Sequence, residues 1–178
     1  MTTKIFSARF IFITSAIIIA ATSRLFPHIP NFTPIAAMAL FGGVYFSDKR
    51  LAFIIPLLAM FISDVALELI TGWGFHNTIV YVYVAFILTS IIGLYVKRNT
   101  TASSILGASV LSSLLFFIIT NFGVWAATGM LGGAAGLGAT YALGIPFFAP
   151  TVLGDLFFNA LLFGAFFFAQ KRIPALIK

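Results

Sequence analysis

Long apolar runs separated by short polar links make up most of this chain. A helix needs about 20 apolar residues to cross the roughly 30 Å hydrocarbon core of a bilayer. The pattern therefore predicts an all-α fold: a single transmembrane domain over residues 1–178 that forms a polytopic membrane bundle of six transmembrane helices. The predicted spans are about 9–25, 34–47, 51–71, 78–96, 103–127 and 147–170.

The second run is the shortest. Its 14 residues would rise only about 21 Å at 1.5 Å per residue. Pro27, Pro30 and Pro34 lie in or just after the preceding link and delay the start of the helix. We therefore expect residues 25–33 to enter the bundle as a non-helical loop, which must be shielded from lipid.

Basic residues occupy alternate links. With six spans, nine of the 10 Lys and Arg residues fall on one side, and only Arg24 falls on the other. The positive-inside rule then predicts that both termini are cytoplasmic. This even span count also favours an uncleaved first span over the alternative, a cleaved secretory signal in residues 1–25. The nine residues are Lys4, Arg9, Lys49, Arg50, Lys97, Arg98, Lys171, Arg172 and Lys178.

The composition excludes several classes of protein. The chain is 61% hydrophobic and only 8% charged, whereas a soluble domain is about 25% charged. This excludes a soluble globular enzyme and a disordered chain, and the lack of cysteine excludes a disulfide scaffold and thiol chemistry. A net charge of +6 suggests nucleic-acid binding, but the cations lie in pairs between apolar runs, so no nucleic-acid partner is expected.

Polar residues inside the spans are the candidate site. Ionisable groups within a membrane span usually face the bundle interior or a cavity. Asp64 and Glu68 are four residues apart and share one helix face, and the predicted topology places them and Asp155 in the outer half. Convergence at one depth predicts an outward-facing cavity. The candidate substrate-binding residues are Arg24, Asp64, Glu68, His76, Asn77, Asn121 and Asp155.

A purely structural role for these residues is the alternative. Asp64 would hydrogen-bond a neighbouring helix, and Glu68 would pair with Arg24 as a buried lock. Asp155 would cap a sixth helix that starts late because of the two prolines in 146–150.

Small residues raise two further alternatives. The glycine-rich connection 128–145 would form either a loop or partial helix packed on the bundle, or a mobile lid. Ala16 and Ala20 form a small-x-x-x-small pattern, which serves either internal packing or docking onto another membrane subunit. Glycines that would permit close helix approach are Gly42, Gly43, Gly107 and Gly164.

No recognised cofactor motif is present. The spacing of His28, His76 and the acids matches no zinc motif, and neither a P-loop nor a dinucleotide fingerprint occurs. We therefore expect no metal, no cofactor and no enzymatic activity.

Several strings carry a resemblance that spans nearly the whole chain. They resemble an uncharacterised family of bacterial six-helix membrane proteins, and that family is distantly similar to the substrate-binding S components of energy-coupling factor (ECF) vitamin transporters. The strings are 30–46, Asp48-Lys49-Arg50, Ile62-Ser63-Asp64, 74–78, 120–125, 145–148 and Gly154-Asp155-Leu156.

The resemblance implies a function. It implies a multi-pass protein of the bacterial cytoplasmic (inner) membrane that binds a vitamin-like or other polar solute in its outer half. It also implies docking through the helix 1 face of Ala16 and Ala20 onto a transmembrane coupling subunit driven by two ATPases. The resemblance does not identify a particular ligand for this chain. The alternatives are a non-transporting structural or accessory subunit of a larger membrane complex, and a stand-alone ion carrier that uses the carboxylates as a relay.

Overall fold

The computed structural model describes residues 7–177, and every regular element in that range is helical. Lys4 and Lys178, which entered the topology argument, lie outside the described residues. The elements are α1 (Ala8–Ser23), α2 (Ile35–Tyr45), α3 (Lys49–Thr71), α4 (Ile79–Val96), α5 (Ala102–Ala127), α6 (Gly133–Arg172) and a final 3₁₀ turn (Pro174–Leu176).

Four of the helices are long and apolar enough to cross a membrane, judged by length and composition. They are α3 to α6, with 23, 18, 26 and 40 residues. The shorter helices α1 and α2 have 16 and 11 residues. The prediction of an all-α protein compatible with a membrane is therefore confirmed. That all six helices cross the membrane stays a prediction.

Helix α2 is the centre of the bundle. Ten of its 11 residues, 35–44, are buried, and it contacts each of the other five helices. A helix that is apolar on every side is stable only when it is enclosed. The short length of α2 is tolerated because protein, and not lipid, surrounds it.

Backbone contact between α2 and α4 depends on two glycines. A Cβ atom on Gly43 would lie 2.5 Å from the carbonyl oxygen of Ser90, and one on Gly93 would lie 2.6 Å from that of Leu40. The predicted close approach is therefore confirmed at Gly43. It is wrong for Gly107 and Gly164, because no atom among the described residues lies within 4 Å of a Cβ built at either.

Helix α6 begins 14 residues earlier than predicted, at Gly133 instead of residue 147. The connection from α5 shrinks to 128–132, and both Pro146 and Pro150 lie inside the helix. We call residues 133–146 the α6 extension. A proline inside a helix removes one backbone donor, but apolar bundles tolerate it where neighbouring helices pack around the site.

Contacts with α5 hold the α6 extension. The Trp125 indole donates a hydrogen bond to the Gly133 carbonyl at 3.2 Å, and the Tyr141 hydroxyl donates one to the Ile118 carbonyl at 2.7 Å. The Phe117 ring packs against that of Tyr141 with 5.8 Å between centroids. The glycine-rich segment is therefore mostly a packed helix and not a loop.

Basic side chains tie several helix ends together at what we call the basic end. Arg9 donates a hydrogen bond to the Tyr45 carbonyl at 3.2 Å, and its guanidinium lies 5.8 Å from the centroid of the Phe166 ring. Lys97 donates to the Phe46 carbonyl. Burial, together with repulsion from Arg9 and Lys49, lowers the pKa of Lys97. The ends of α1, α2, α4 and α6 thus meet here.

The small-residue pattern of α1 faces inward. Ala20 is buried beside Ile17, and the half-buried Ala16 packs against the same core. The outward face of α1 carries Ser15, Ile18 and other exposed residues. The internal-packing alternative therefore accounts for this pattern, and docking of a partner on α1 stays a prediction.

Candidate functional site

A cavity of about 580 Å³ opens at the end of the bundle opposite the basic end. Helices α2 to α6, the α1–α2 and α3–α4 loops and Arg24 at the end of α1 contribute to its wall. It lies where α1, α3 and α5 end and where α2 and α4 begin, which is the level that the sequence predicted for converging polar groups. Arg24, Asp64, His76, Asn121 and Asp155 all line it.

One face of α6 forms a long side of the cavity. Thr140, Gly144, Phe147, Thr151 and Asp155 follow one another at intervals of three or four residues and all line the cavity. This spacing puts them on a single helix face. The α6 extension is thus part of the site, which the sequence analysis missed because glycines and prolines normally indicate a loop.

An ion pair joins α1 to α3 in the cavity wall. Arg24 Nη2 lies 2.7 Å from Asp64 Oδ1, with side chains only 10% and 3% exposed. The Tyr83 hydroxyl donates to Asp64 Oδ2 at 2.7 Å, and Arg24 also donates to Ser63 Oγ. Both charges are therefore compensated. The sequence did not single out Tyr83, because one tyrosine among many aromatic residues gives no signal.

Glu68 holds the α3–α4 loop and lies outside the cavity wall. Its Oε2 accepts hydrogen bonds from the backbone amides of Gly74 and Phe75, each at 2.9 Å. The predicted pair with Arg24 is wrong, since Arg24 pairs with Asp64 one turn earlier. The loop approaches α3 so closely that a Cβ atom on Gly74 would lie 2.5 Å from the Glu68 amide nitrogen.

Asp155 lies in the middle of α6, with only 3% of its surface exposed. Its Oδ2 accepts a hydrogen bond from Ser113 Oγ on α5 at 2.6 Å. In the described part of the chain, no basic side chain lies within ion-pair distance of it. The interpretation of Asp155 as a helix cap is wrong, because α6 begins more than 20 residues earlier.

The remaining candidates differ in position. Asn121 donates to the Phe117 carbonyl of its own helix at 2.8 Å, and its side chain packs directly on Gly144. His76 is exposed at the cavity rim, where its Nδ1 lies 2.9 Å from Thr78 Oγ1. Asn77 is also exposed and lines a separate, shallower depression next to the rim.

The acidic groups of the cavity wall are fixed in place by neighbouring side chains. Within residues 7–177, no cluster of three or more His, Cys, Asp or Glu residues is positioned to hold a metal ion. The acidic groups in the wall are held by hydrogen bonds to Tyr83 and Ser113. Fixed polar groups in a largely apolar cavity are typical of sites that orient a small ligand.

Comparison with protein families gives one match. Residues 4–176 match DUF6580, a family of unknown function. The chain belongs to this family. Membership confirms the predicted resemblance to an uncharacterised family, and it assigns no activity. No curated protein matches the chain. No solved structure matches it either. The similarity to ECF S components therefore remains a prediction, which rests on the six predicted spans, the predicted cytoplasmic termini, the Ala16–Ala20 pattern and the outward-facing polar level.

Proposed function

We propose that this DUF6580 protein is a membrane-embedded binding subunit for a small solute, and that it serves an ECF-type uptake transporter. The solute enters the cavity from outside the cell. The single observation that carries the proposal is the cavity itself, which is lined by Arg24 at the end of α1, Asp64 on α3, and Asn121 and Asp155 on α5 and α6.

The dimensions and lining support a small-molecule ligand. Ligand pockets usually measure about 300–1,000 Å³ and are mostly apolar with a few fixed polar groups. The cavity has about 580 Å³, with Phe116, Phe147 and Val82 beside the polar groups. A helix bundle held together only for structure has no need of such a space.

Transport would require partners. The sequence contains no nucleotide-binding motif, so energy would come from two ATPases through a transmembrane coupling subunit. This part of the proposal depends on the resemblance to S components. Docking on α1 would use its outward face, where Ser15, Ile18 and Ile19 are exposed beside Ala16.

Native mass spectrometry of protein extracted gently from its own membrane tests the proposal. We expect a reproducible small-molecule adduct on the wild type. Thr120 on α5 lines the cavity, so Thr120→Trp should fill it and abolish the adduct. Leu114→Trp, which introduces the same side chain at an exposed position of the same helix, should retain it. Absence of any adduct from the wild type, or equal loss in both variants, would contradict the proposal.

A second candidate is a structural subunit of a larger membrane complex. The Arg24–Asp64 pair and the Ser113–Asp155 hydrogen bond favour it, because both join neighbouring helices in the manner of locks. The same spectra distinguish the two. A stable assembly of fixed stoichiometry without a small-molecule adduct supports the structural role.

A further inference from the structure

We infer that the ligand is a small organic cation, an ammonium group on an apolar or aromatic body, and that Asp155 is its counter-ion. The inference specifies the substrate class of the cavity and therefore rests on the proposed function. Four observations carry it: the charge balance of the wall, the burial of Asp155, the engagement of Arg24 and the aromatic lining.

Asp155 is the one carboxyl group in the described part of the cavity wall that has no basic partner. Among residues 7–177, the Asp, Glu, Lys and Arg side chains that line it are Arg24, Asp64 and Asp155. Arg24 and Asp64 neutralise each other at 2.7 Å. Glu68 points away to the loop amides of Gly74 and Phe75, and it adds nothing to the wall.

Asp155 needs a partner that the chain does not provide. Removing a carboxylate from water is costly unless a counter-charge and hydrogen bonds replace the lost hydration. Ser113 supplies one hydrogen bond, to Oδ2, and the described residues supply no cation. Because Asp155 lines a cavity that is large enough for an organic molecule, a bound ammonium group can provide both the charge and donors for Oδ1.

Among the described Lys and Arg residues, Arg24 alone lines the cavity wall, and the other basic side chain there, His76, lies at the exposed rim. The Arg24 guanidinium is already occupied by Asp64, Ser63 and, at 3.5 Å, the Met60 carbonyl. An anion would have to displace Asp64 from this pair and would also face repulsion from Asp155. The wall therefore selects against carboxylates and phosphates.

Aromatic side chains favour the same ligand class. Phe116, Phe117, Phe147 and Trp73 line the cavity together with Asp155. The faces of aromatic rings attract cations, most strongly where water is excluded. A carboxylate beside several rings thus provides charge recognition for the ammonium group and apolar contact for its body.

Three probes of similar size test the ligand class: phenethylammonium, 2-phenylethanol and phenylacetate, each at millimolar concentration with purified protein in lipid nanodiscs. They share a benzyl group, which carries CH₂–NH₃⁺, CH₂–OH or COO⁻, so that the terminal group is positive, neutral or negative. We expect phenethylammonium to bind at least tenfold more tightly than 2-phenylethanol, and phenylacetate not to bind. Equal binding of all three, or tightest binding of phenylacetate, overturns the inference.

Variants assign the charge recognition to Asp155. Asp155→Asn keeps the size of the side chain and removes its charge. It should lower the affinity for phenethylammonium at least tenfold and leave the affinity for 2-phenylethanol unchanged. Asp48→Asn is the matched control: it makes the same substitution at the N-cap of α3, outside the cavity, and keeps a side-chain oxygen as acceptor for the Arg50 amide. It should leave both affinities unchanged. Unchanged ammonium affinity in Asp155→Asn overturns the inference even if that variant is well folded.

The outcomes separate this inference from the proposed function. Binding of neutral or anionic solutes in the cavity overturns the ligand class and leaves the solute-binding role intact. Binding of Na⁺ alone, without any ammonium ion, also overturns the ligand class. If no solute of any charge binds and the native protein carries no adduct, both proposals fail.

Discussion

Buried charged residues in this bundle have two different environments. Asp64 has two side-chain partners, the Arg24 guanidinium and the Tyr83 hydroxyl, each at 2.7 Å. Asp155 has a single neutral partner, Ser113. The difference agrees with the proposed binding role of Asp155, whereas Asp64 joins α1, α3 and α4. The sequence alone made the two residues equivalent candidates.

The ion pair leads to the first prediction. Arg24→Met and Asp64→Asn should each lower the free energy of unfolding by about 3–5 kcal/mol, because either change leaves one buried charge uncompensated. The double variant should lose less than the sum, since no unpaired charge remains and the new amide oxygen would still accept the Tyr83 hydrogen bond. Unfolding in mixed micelles, followed by fluorescence of Trp73 and Trp125, measures this. Strictly additive losses would refute the coupling.

Glu68 leads to the second prediction. Glu68→Ala removes the acceptor for the Gly74 and Phe75 amides, and leaving such donors without a partner costs about 1–3 kcal/mol. Hydrogen exchange at these two amides should accelerate at least tenfold, whereas amides in the middle of α3 should exchange at the wild-type rate.

Glu68→Gln serves as the control for this prediction. It keeps one side-chain oxygen as an acceptor, so the two loop amides should exchange at an intermediate rate. Uniform acceleration along the whole of α3 in Glu68→Ala would instead mean that Glu68 stabilises the helix and not the loop.

At the scale of elements, the sequence predicted the positions of the apolar helices well, but it predicted the pairing of the buried polar side chains poorly. Apolar runs predicted α3, α4 and α5 to within about two residues at each end, because burial in an apolar medium makes run length the dominant signal. The prediction failed over the α6 extension, residues 133–146. There the helix depends on contacts with α5, namely the hydrogen bonds from Trp125 to the Gly133 carbonyl and from Tyr141 to the Ile118 carbonyl. Such tertiary contacts leave no local pattern.

The sequence also could not predict which buried polar residues pair with each other. Spacing placed Asp64 and Glu68 on one face of α3, and the structure has both on α3. The choice of Asp64 over Glu68 as the partner of Arg24 depends on the depth at which α1 ends beside α3, which is set by packing. Depth inferred from topology is accurate only to about one turn, and one turn separates these two residues.

The contact between α2 and α4 leads to the third prediction. Gly43→Ala should destabilise the bundle by about 1–3 kcal/mol through overpacking, because the Cβ would lie 2.5 Å from a backbone oxygen that cannot move aside. Gly107→Ala is the matched control. Its Cβ meets nothing among the described residues within 4 Å, and alanine is the better helix former by about 1 kcal/mol. Its unfolding midpoint should therefore stay or rise. Equal destabilisation by both changes would contradict the assigned contact.

At the scale of the whole molecule, the basic end and the cavity lie at opposite ends of the bundle. Arg9 and Lys97 gather at the basic end through hydrogen bonds to the Tyr45 and Phe46 carbonyls, whereas the cavity opens at the other. If basic residues remain on the cytoplasmic side, a solute from outside reaches the cavity without crossing the bundle. The orientation of the chain thus determines whether the proposed uptake role is geometrically possible.

The fourth prediction tests that orientation. The natural chain has no cysteine, so a single introduced thiol is the only site for a membrane-impermeant maleimide. Asn77→Cys, at the exposed rim beside the cavity, should be labelled in intact bacterial spheroplasts. Thr100→Cys, exposed at the basic end between α4 and α5, should be labelled only after the membrane is permeabilised. The reverse pattern would place the cavity mouth in the cytoplasm, and solute capture from outside would then be excluded whatever ligand the cavity holds.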